Sequence, residues 1–325
     1  MFGRWGCFGA LAGIATLLAA CTTDIGGTAV PAPSTPSATG ITLSNAANLL
    51  GDLPTLDPCS LADPSVFEPF GHTEWGELDS FDRCRITIRA ASGALVGVDV
   101  GPLHEPDPEV ESKPKVDLPG GLVVIDYDSS ATRCHQLLRF ADAITLSVSA
   151  ERPEGAEPQL CDMVKAGMNK VVEAIRAGSV RHRTFPSGSL ASVDPCAVLP
   201  RQARALVPVL LGAAEWRSPA KHRCGSVTDD DLEMYLSVGV TSPTAEVPNA
   251  EERSVAGRPT LVVSWERDGM AFCEARTKHI PFAAPNQTTL IEEARVLFRA
   301  PGPRLDDACK FAVDVAGQFW PELPA

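Results

Sequence analysis

LVVIDYDSSATRC, Leu122–Cys134, and LVVSWERDGMAFC, Leu261–Cys273, open on the same apolar triplet and end on a cysteine. In each, an apolar run of strand length gives way to polar turn residues before a second run begins, the pattern of paired strands. Working outward, GALVGVDVG near residue 93 answers LEMYLSVGV near 232. Glu74-Trp75 followed by Arg83-Cys84 answers Glu215-Trp216 followed by Arg223-Cys224, and Asp57-Pro58-Cys59 answers Asp194-Pro195-Cys196. Motifs that recur in one order with similar spacing are an internal repeat, so the chain reads as two copies of one unit. A length of 325 residues independently predicts two domains of ordinary size.

The repeated motifs have physical jobs. Asp57 and Asp194 are placed to N-cap, with Pro58 and Pro195 at the first helical position, where a missing N–H costs nothing. Each DPC is therefore expected to open a short helix. RITIR, LVGVDV, LVVIDY and ITLSVSA alternate or run apolar as strands do. TLIEEARVLF fits a helix or a strand, and its place in the repeat favours a strand. Val164, Met168, Val171 and Ile175 form one helical face, as do Leu305, Ala308, Ala312, Val315 and Phe319. Pro102–Pro119 and Ser242–Pro259 carry proline and charge and read as loops. The expected fold is α+β: two tandem copies of a mainly antiparallel sheet, each flanked by an N-terminal and a C-terminal helix and each with two disulfides. The copies span 51–178 and 193–325, joined by a linker at 179–192.

Eight of the ten cysteines belong to the copies. Four in one domain allow about three pairings. Duplication demands the same scheme twice, and nearest-neighbour pairing gives Cys59–Cys84, Cys134–Cys161, Cys196–Cys224 and Cys273–Cys309. A bridge closing a loop of about 26 residues is worth roughly 3.5 kcal/mol on a chain-entropy account. Zinc is the competing use of these cysteines, but the gaps lack C-x2-C clustering and the histidines do not recur at equivalent positions. No metal and no cofactor is expected.

The two remaining cysteines lie at the N-terminus. Arg4 is the only charged side chain before Asp24, and the apolar run Cys7–Ala20 is shorter than the roughly 20 residues a membrane span needs. It ends in Leu18-Ala19-Ala20-Cys21, which resembles a bacterial lipobox. That likeness implies removal of residues 1–20 as a lipoprotein signal peptide and lipid attachment (a diacylglycerol thioether, then acylation such as palmitate) at Cys21. An ordinary secretory signal is the alternative. Residues 21–50 are small, polar and proline-rich and read as a flexible tether. A net charge of -13 opposes nucleic-acid binding and docking on anionic lipid, so the expected membrane partner is reached only through the Cys21 anchor.

Together the lipobox, the Ser/Thr/Pro tether, the DPC motif and the four-cysteine sets resemble a family of actinobacterial cell-envelope lipoproteins with a domain of unknown function. The resemblance implies a place on the outer face of the cytoplasmic membrane or in the envelope. It implies no reaction, and the tandem arrangement departs from the single domain of most relatives.

Candidate chemistry is sparse. His72, His104, His135, His182, His222 and His279 stand in no recognised catalytic spacing, and G-x-S-x-G, P-loop and H-E-x-x-H motifs are missing. Thr228-Asp229-Asp230-Asp231 offers carboxylates for Ca²⁺ but lacks the rest of a calcium loop, and reads as a solvated turn. Arg181-His182-Arg183 fits either an anionic partner or a solvated linker. Trp75 and Trp216 read as a repeated core position packed on a disulfide, with an apolar ligand groove as the alternative. The expected function is a non-enzymatic binding or interaction module for an envelope protein or ligand. A carrier or sensor using a pocket between sheet and helix is the alternative, and an envelope hydrolase the third reading.

Overall fold

Between Cys84 and Ala90 every second side chain, Cys84, Ile86, Ile88 and Ala90, is buried, while those between face outward. A period of two with one core face is what pleating imposes on a half-buried strand, and it organises most of the chain. The computed structural model describes residues 45–152, 159–198, 207, 210, 212–243, 250–284, 290–302 and 304–325. The expected signal peptide and Cys21 lie outside the described residues.

β1 (Gly71–Trp75), β2 (Cys84–Ala90), β3 (Leu95–His104), β4 (Lys115–Asp117), β5 (Val123–Ser129), β6 (Arg133–Arg139) and β7 (Thr145–Glu151) form a seven-stranded sheet in the order β1-β2-β3-β7-β6-β5-β4. β8 (Ala214–Arg217), β9 (Arg223–Val227), β10 (Glu233–Thr241), β11 (Glu251–Val255), β12 (Arg258–Arg267), β13 (Met270–Phe282) and β14 (Leu290–Pro301) form the second, ordered β11-β12-β13-β14-β10-β9-β8. Read from its other edge, the second sheet has the connectivity of the first. The pairings are antiparallel, as in β2 with β3 and β10 with β14.

This corrects the expected α+β architecture. The two antiparallel sheets dominate, and among the described residues no long helix opens either copy as a flanking element. Asp57 does accept a hydrogen bond from Cys59 N at 3.2 Å, but Pro58–Leu61 is only a 3-10 turn. Asp194 likewise accepts from Cys196 N at 3.0 Å, and Pro195–Val198 is helical, α3, as far as the described residues run. At Asp57 the cap and the proline nucleate a turn without propagating it. In the first copy Pro64 and Pro69 follow, and the segment Pro64–Phe70 stays 3-10, because proline supplies no N–H and crowds the preceding turn. Two stretches read as loops contain the edge strands β4 and β11. Lys115, Val116 and Asp117 are all exposed, so no alternation of apolar residues betrayed that strand. The tether, expected to reach residue 50, gives way earlier to the short helix α1 (Ala46–Leu50), whose Ala46 and Leu50 are buried.

α2 (Leu160–Arg176) buries Val164, Met168, Val171 and Ile175 on the first sheet. α4 (Leu305–Phe319) buries Ala308, Ala312, Val315 and Phe319 on the second. Three disulfides are supported: Cys59–Cys84 ties the DPC turn to β2, Cys134–Cys161 ties β6 to α2, and Cys273–Cys309 ties β13 to α4. Cys196 and Cys224 lie buried in the second core.

The two halves share more than a linker. The β1–β2 connection carries Leu78 and Phe81 into the core of the second sheet, among Leu190, Val238 and Phe282. Phe81 packs edge-on against Phe185 and Phe282, with ring centroids 5.4 Å and 5.6 Å away. The expected linker is pinned as well. Asp57 N donates to Arg181 O at 2.9 Å, Arg183 N donates to Thr55 O at 2.7 Å, and the buried Arg183 guanidinium meets the Asp57 carboxylate at 2.8 Å. Glu292 of β14, fully buried, accepts from Ser189 Oγ at 2.5 Å and Leu190 N at 2.7 Å.

Candidate functional site

α2 packs over β6 and β7, and β5 and β4 extend past it toward the free edge of the first sheet. The helix and this overhang enclose a groove of about 740 Å³. Leu118 just past β4, Val124 of β5, and Met168 and Val172 of α2 make its apolar lining, with Lys165 and Glu173 among its charged residues. At one end Arg176 Nη2 donates to Pro119 O at 3.3 Å.

One polar pair interrupts the apolar wall. Cys134 faces α2, to which it is bridged, so Gln136, two residues on, faces the same way. Gln136 is 6% exposed, and its Nε2 donates to Asp126 Oδ1 at 2.7 Å. Its Oε1 is buried with no hydrogen-bond partner. An amide whose donor side is committed to a carboxylate leaves its carbonyl in search of a donor, and an unmet buried acceptor costs about 1–3 kcal/mol.

The second copy fills the corresponding place. Asp126 pairs with Gln136 across the first sheet, and Val262 pairs with Ala275, two residues after Cys273, across the second. Val172 stands eleven positions after Cys161, as Trp320 does after Cys309. Trp320 is fully buried and its Nε1 donates to Thr260 Oγ1 at 3.0 Å. At the same offset from the bridged cysteine, one copy thus has a buried indole and the other a valine lining the groove.

Gln136, Asp126 and Val172 escaped the sequence reading. A polar residue at a core-facing strand position, two after a bridged cysteine, was the available signal. The residues that were singled out are scattered. Trp75, with its partner Ile86, packs on the first core, whereas Trp216 lies over Gly225 and packs at a tilt against Tyr235, centroids 5.6 Å apart, on the face away from Cys224. Nine residues separate Trp75 from Cys84 and eight separate Trp216 from Cys224, and a one-residue difference reverses the face. Asp57, Pro58, Asp194 and Pro195 shape turns. The acidic run at 228–231 is the β9–β10 turn, where Asp231 lies 3.6 Å from Arg299. Among the described residues no group of three or more metal-ligating side chains gathers.

Two buried histidines stand apart from the groove. His135 points to the opposite face of β6, its ring edge-on to Tyr127 at 5.1 Å, with neither nitrogen hydrogen-bonded. Burial lowers its pKa to about 4. His222 Nδ1 meets Asp82 Oδ1, and Ser218 is near, but Ser218 Oγ donates to the carboxylate at 3.4 Å while His222 Nε2 faces Ala191 O at 3.0 Å. Both ring nitrogens and the hydroxyl are thus directed at other groups, and the trio ties the β1–β2 connection to the second half.

No protein-family model and no curated protein matches the chain. Among solved structures, DynU16, from the dynemicin biosynthetic locus, is similar at 13% identity over 82% of this chain and 96% of that one, with a TM-score of 0.13. At that score the likeness carries no argument. Among the described residues no helix is long and apolar enough to cross a membrane.

Proposed function

We propose that the chain is an exported, lipid-anchored envelope lipoprotein whose first copy binds a small amphipathic ligand in the groove between α2 and β4–β6. The observation that carries this reading is Gln136 Oε1, a buried acceptor without a partner on the wall of a groove of about 740 Å³. Small-molecule sites typically measure about 300–1,000 Å³ and combine an apolar lining with a few placed polar groups. Van der Waals contact with Met168, Val172 and Val124 holds the apolar body, and Gln136 with Asp126 orients a donor group. Export suits the disulfides, which persist in oxidising compartments, and the Cys21 anchor and tether hold the binding unit near the membrane.

The groove favours the carrier or sensor reading over a bare interaction module. Titration of the mature chain with N-phenyl-1-naphthylamine tests it: saturable fluorescence enhancement is expected, and Val172→Trp, which copies the second half, removes it while the unfolding midpoint holds. Absence of binding to the parent chain, or full binding to the variant, sinks the idea. For the anchor, Cys21→Ser is expected to move the protein from the membrane fraction to the soluble one. Retention of the variant in the membrane fraction overturns that part.

A further inference from the structure

The duplication supplies a template for the missing occupant. In the second copy the space between helix and sheet is taken by an indole: Trp320 is fully buried, gives its ring N–H to an acceptor on the sheet wall, Thr260 Oγ1 at 3.0 Å, and packs beside Phe319 with centroids 5.5 Å apart. The first copy has neither the ring nor the Thr260 hydroxyl, whose counterpart is Val124, but offers a different acceptor on the same wall. Val172 stands at the tryptophan's offset from the bridged cysteine, and the acceptor on the sheet wall is Gln136 Oε1, at the position of Ala275 in the second copy and unpaired. Met168 stands where the second copy has Ala316, each seven positions after its bridged cysteine. A thioether is polarisable and makes favourable contacts with aromatic edges.

From this correspondence we infer that the groove ligand is a planar aromatic molecule bearing a ring N–H donor, of the indole class, seated on Met168 and Val172 with its N–H directed at Gln136 Oε1. The inference rests on the groove being a ligand site and names what that site selects. A purely aliphatic ligand covers the apolar lining but leaves the acceptor unmet. Sites built around a hydrogen bond discriminate strongly against analogues that lack the group.

NMR titration of the mature chain with indole and with 1-methylindole, which has the ring but no N–H, separates the possibilities. Indole is expected to bind about tenfold more tightly, equivalent to roughly 1.4 kcal/mol. In Gln136→Met, which keeps the length and loses the carbonyl, the preference collapses toward unity while 1-methylindole binds as before. Equal affinity of the parent chain for both indoles overturns the inference while leaving the groove intact, provided N-phenyl-1-naphthylamine still binds. Loss of all three probes overturns the groove reading itself. Circular dichroism and the thermal midpoint of Gln136→Met show whether the variant folds, and Asp126→Asn, which retains the Gln136 carbonyl, is expected to keep the preference.

Discussion

The carboxylate of Asp82, carried out of the first sheet by the β1–β2 connection, is hydrogen-bonded to the ring Nδ1 of His222 in the second half, and both side chains are almost completely buried. Arg223 Nε donates to the other carboxylate oxygen at 3.3 Å, and the preceding residue, Phe81, lays its ring 5.2 Å from the imidazole. Burial pushes the Asp82 carboxyl up, but the charges of His222 and Arg223 outweigh it and hold the group below the ordinary carboxylate range. One half therefore completes the core of the other with a charge as well as with Leu78 and Phe81.

Removing that charge leaves a buried cation without its partner. Asp82→Ala is expected to cost about 3–5 kcal/mol, the usual penalty for breaking rather than replacing a buried pair. Guanidinium denaturation followed by far-UV circular dichroism reads it: one transition at a lower midpoint is expected, because the halves share a core. A variant in which only one half melts earlier contradicts a shared core. The pH dependence has a definite sign. A carboxyl whose pKa is lowered on folding stabilises the protein above its unfolded pKa, and that stability is lost as pH falls below it. Asp82→Asn should accordingly flatten the acid limb of the stability curve.

His135 acts in a higher pH window. Its imidazole is buried and unpartnered, so the neutral form is favoured and the pKa falls from 6.5 to about 4. Between those values the unfolded chain binds the proton more readily, so stability declines as pH drops from about 6.5 to about 4, by up to about 3 kcal/mol. His135→Phe, which keeps a ring beside Tyr127, is expected to remove most of this slope. An unchanged slope in the variant, measured by urea titration at several pH values, rules out His135 as its origin.

Gly225 is required by its neighbours, not by its backbone angles. A Cβ there would lie 2.7 Å from Met234 O and 2.7 Å from the Trp216 ring. Gly225→Ala is expected to destabilise by about 1–3 kcal/mol, as overpacking does, and to lower the thermal midpoint by several degrees. Adding Trp216→Ala should recover only part of the loss, since the carbonyl stays. Full recovery would place the whole conflict on the indole.

Cys196 and Cys224 occupy the positions that Cys59 and Cys84 hold in the first copy, one on the turn after Asp-Pro and one at a strand after Arg. Non-reducing peptide mapping of exported protein is expected to recover these two as a linked pair. Quantitative alkylation of both thiols in unreduced protein would show that the second copy departs from the scheme of the first.

Residues close together in sequence were informative wherever local periodicity was the cause. The DPC and Arg-Cys motifs exposed the repeat, alternation marked β2 and β3, and the spacing of Val164, Met168, Val171 and Ile175 marked one buried face of α2, because pleat and helical turn impose themselves on neighbours. Three bridges follow the nearest-neighbour scheme for the same reason of proximity. The matched stretches 122–134 and 261–273 nevertheless fold with different hairpin tips, since Ser129 pairs with Cys134 while Ser264 pairs with Cys273. Periodicity says which residues share a face, but the partner across the sheet is chosen by turn geometry and packing at a distance. Hence the opposite faces of Trp75 and Trp216, the Asp82 loop inside the other core, and a groove lined by valine at the position whose counterpart is a buried tryptophan. Each of these depends on what a residue meets through space, which only the folded chain decides.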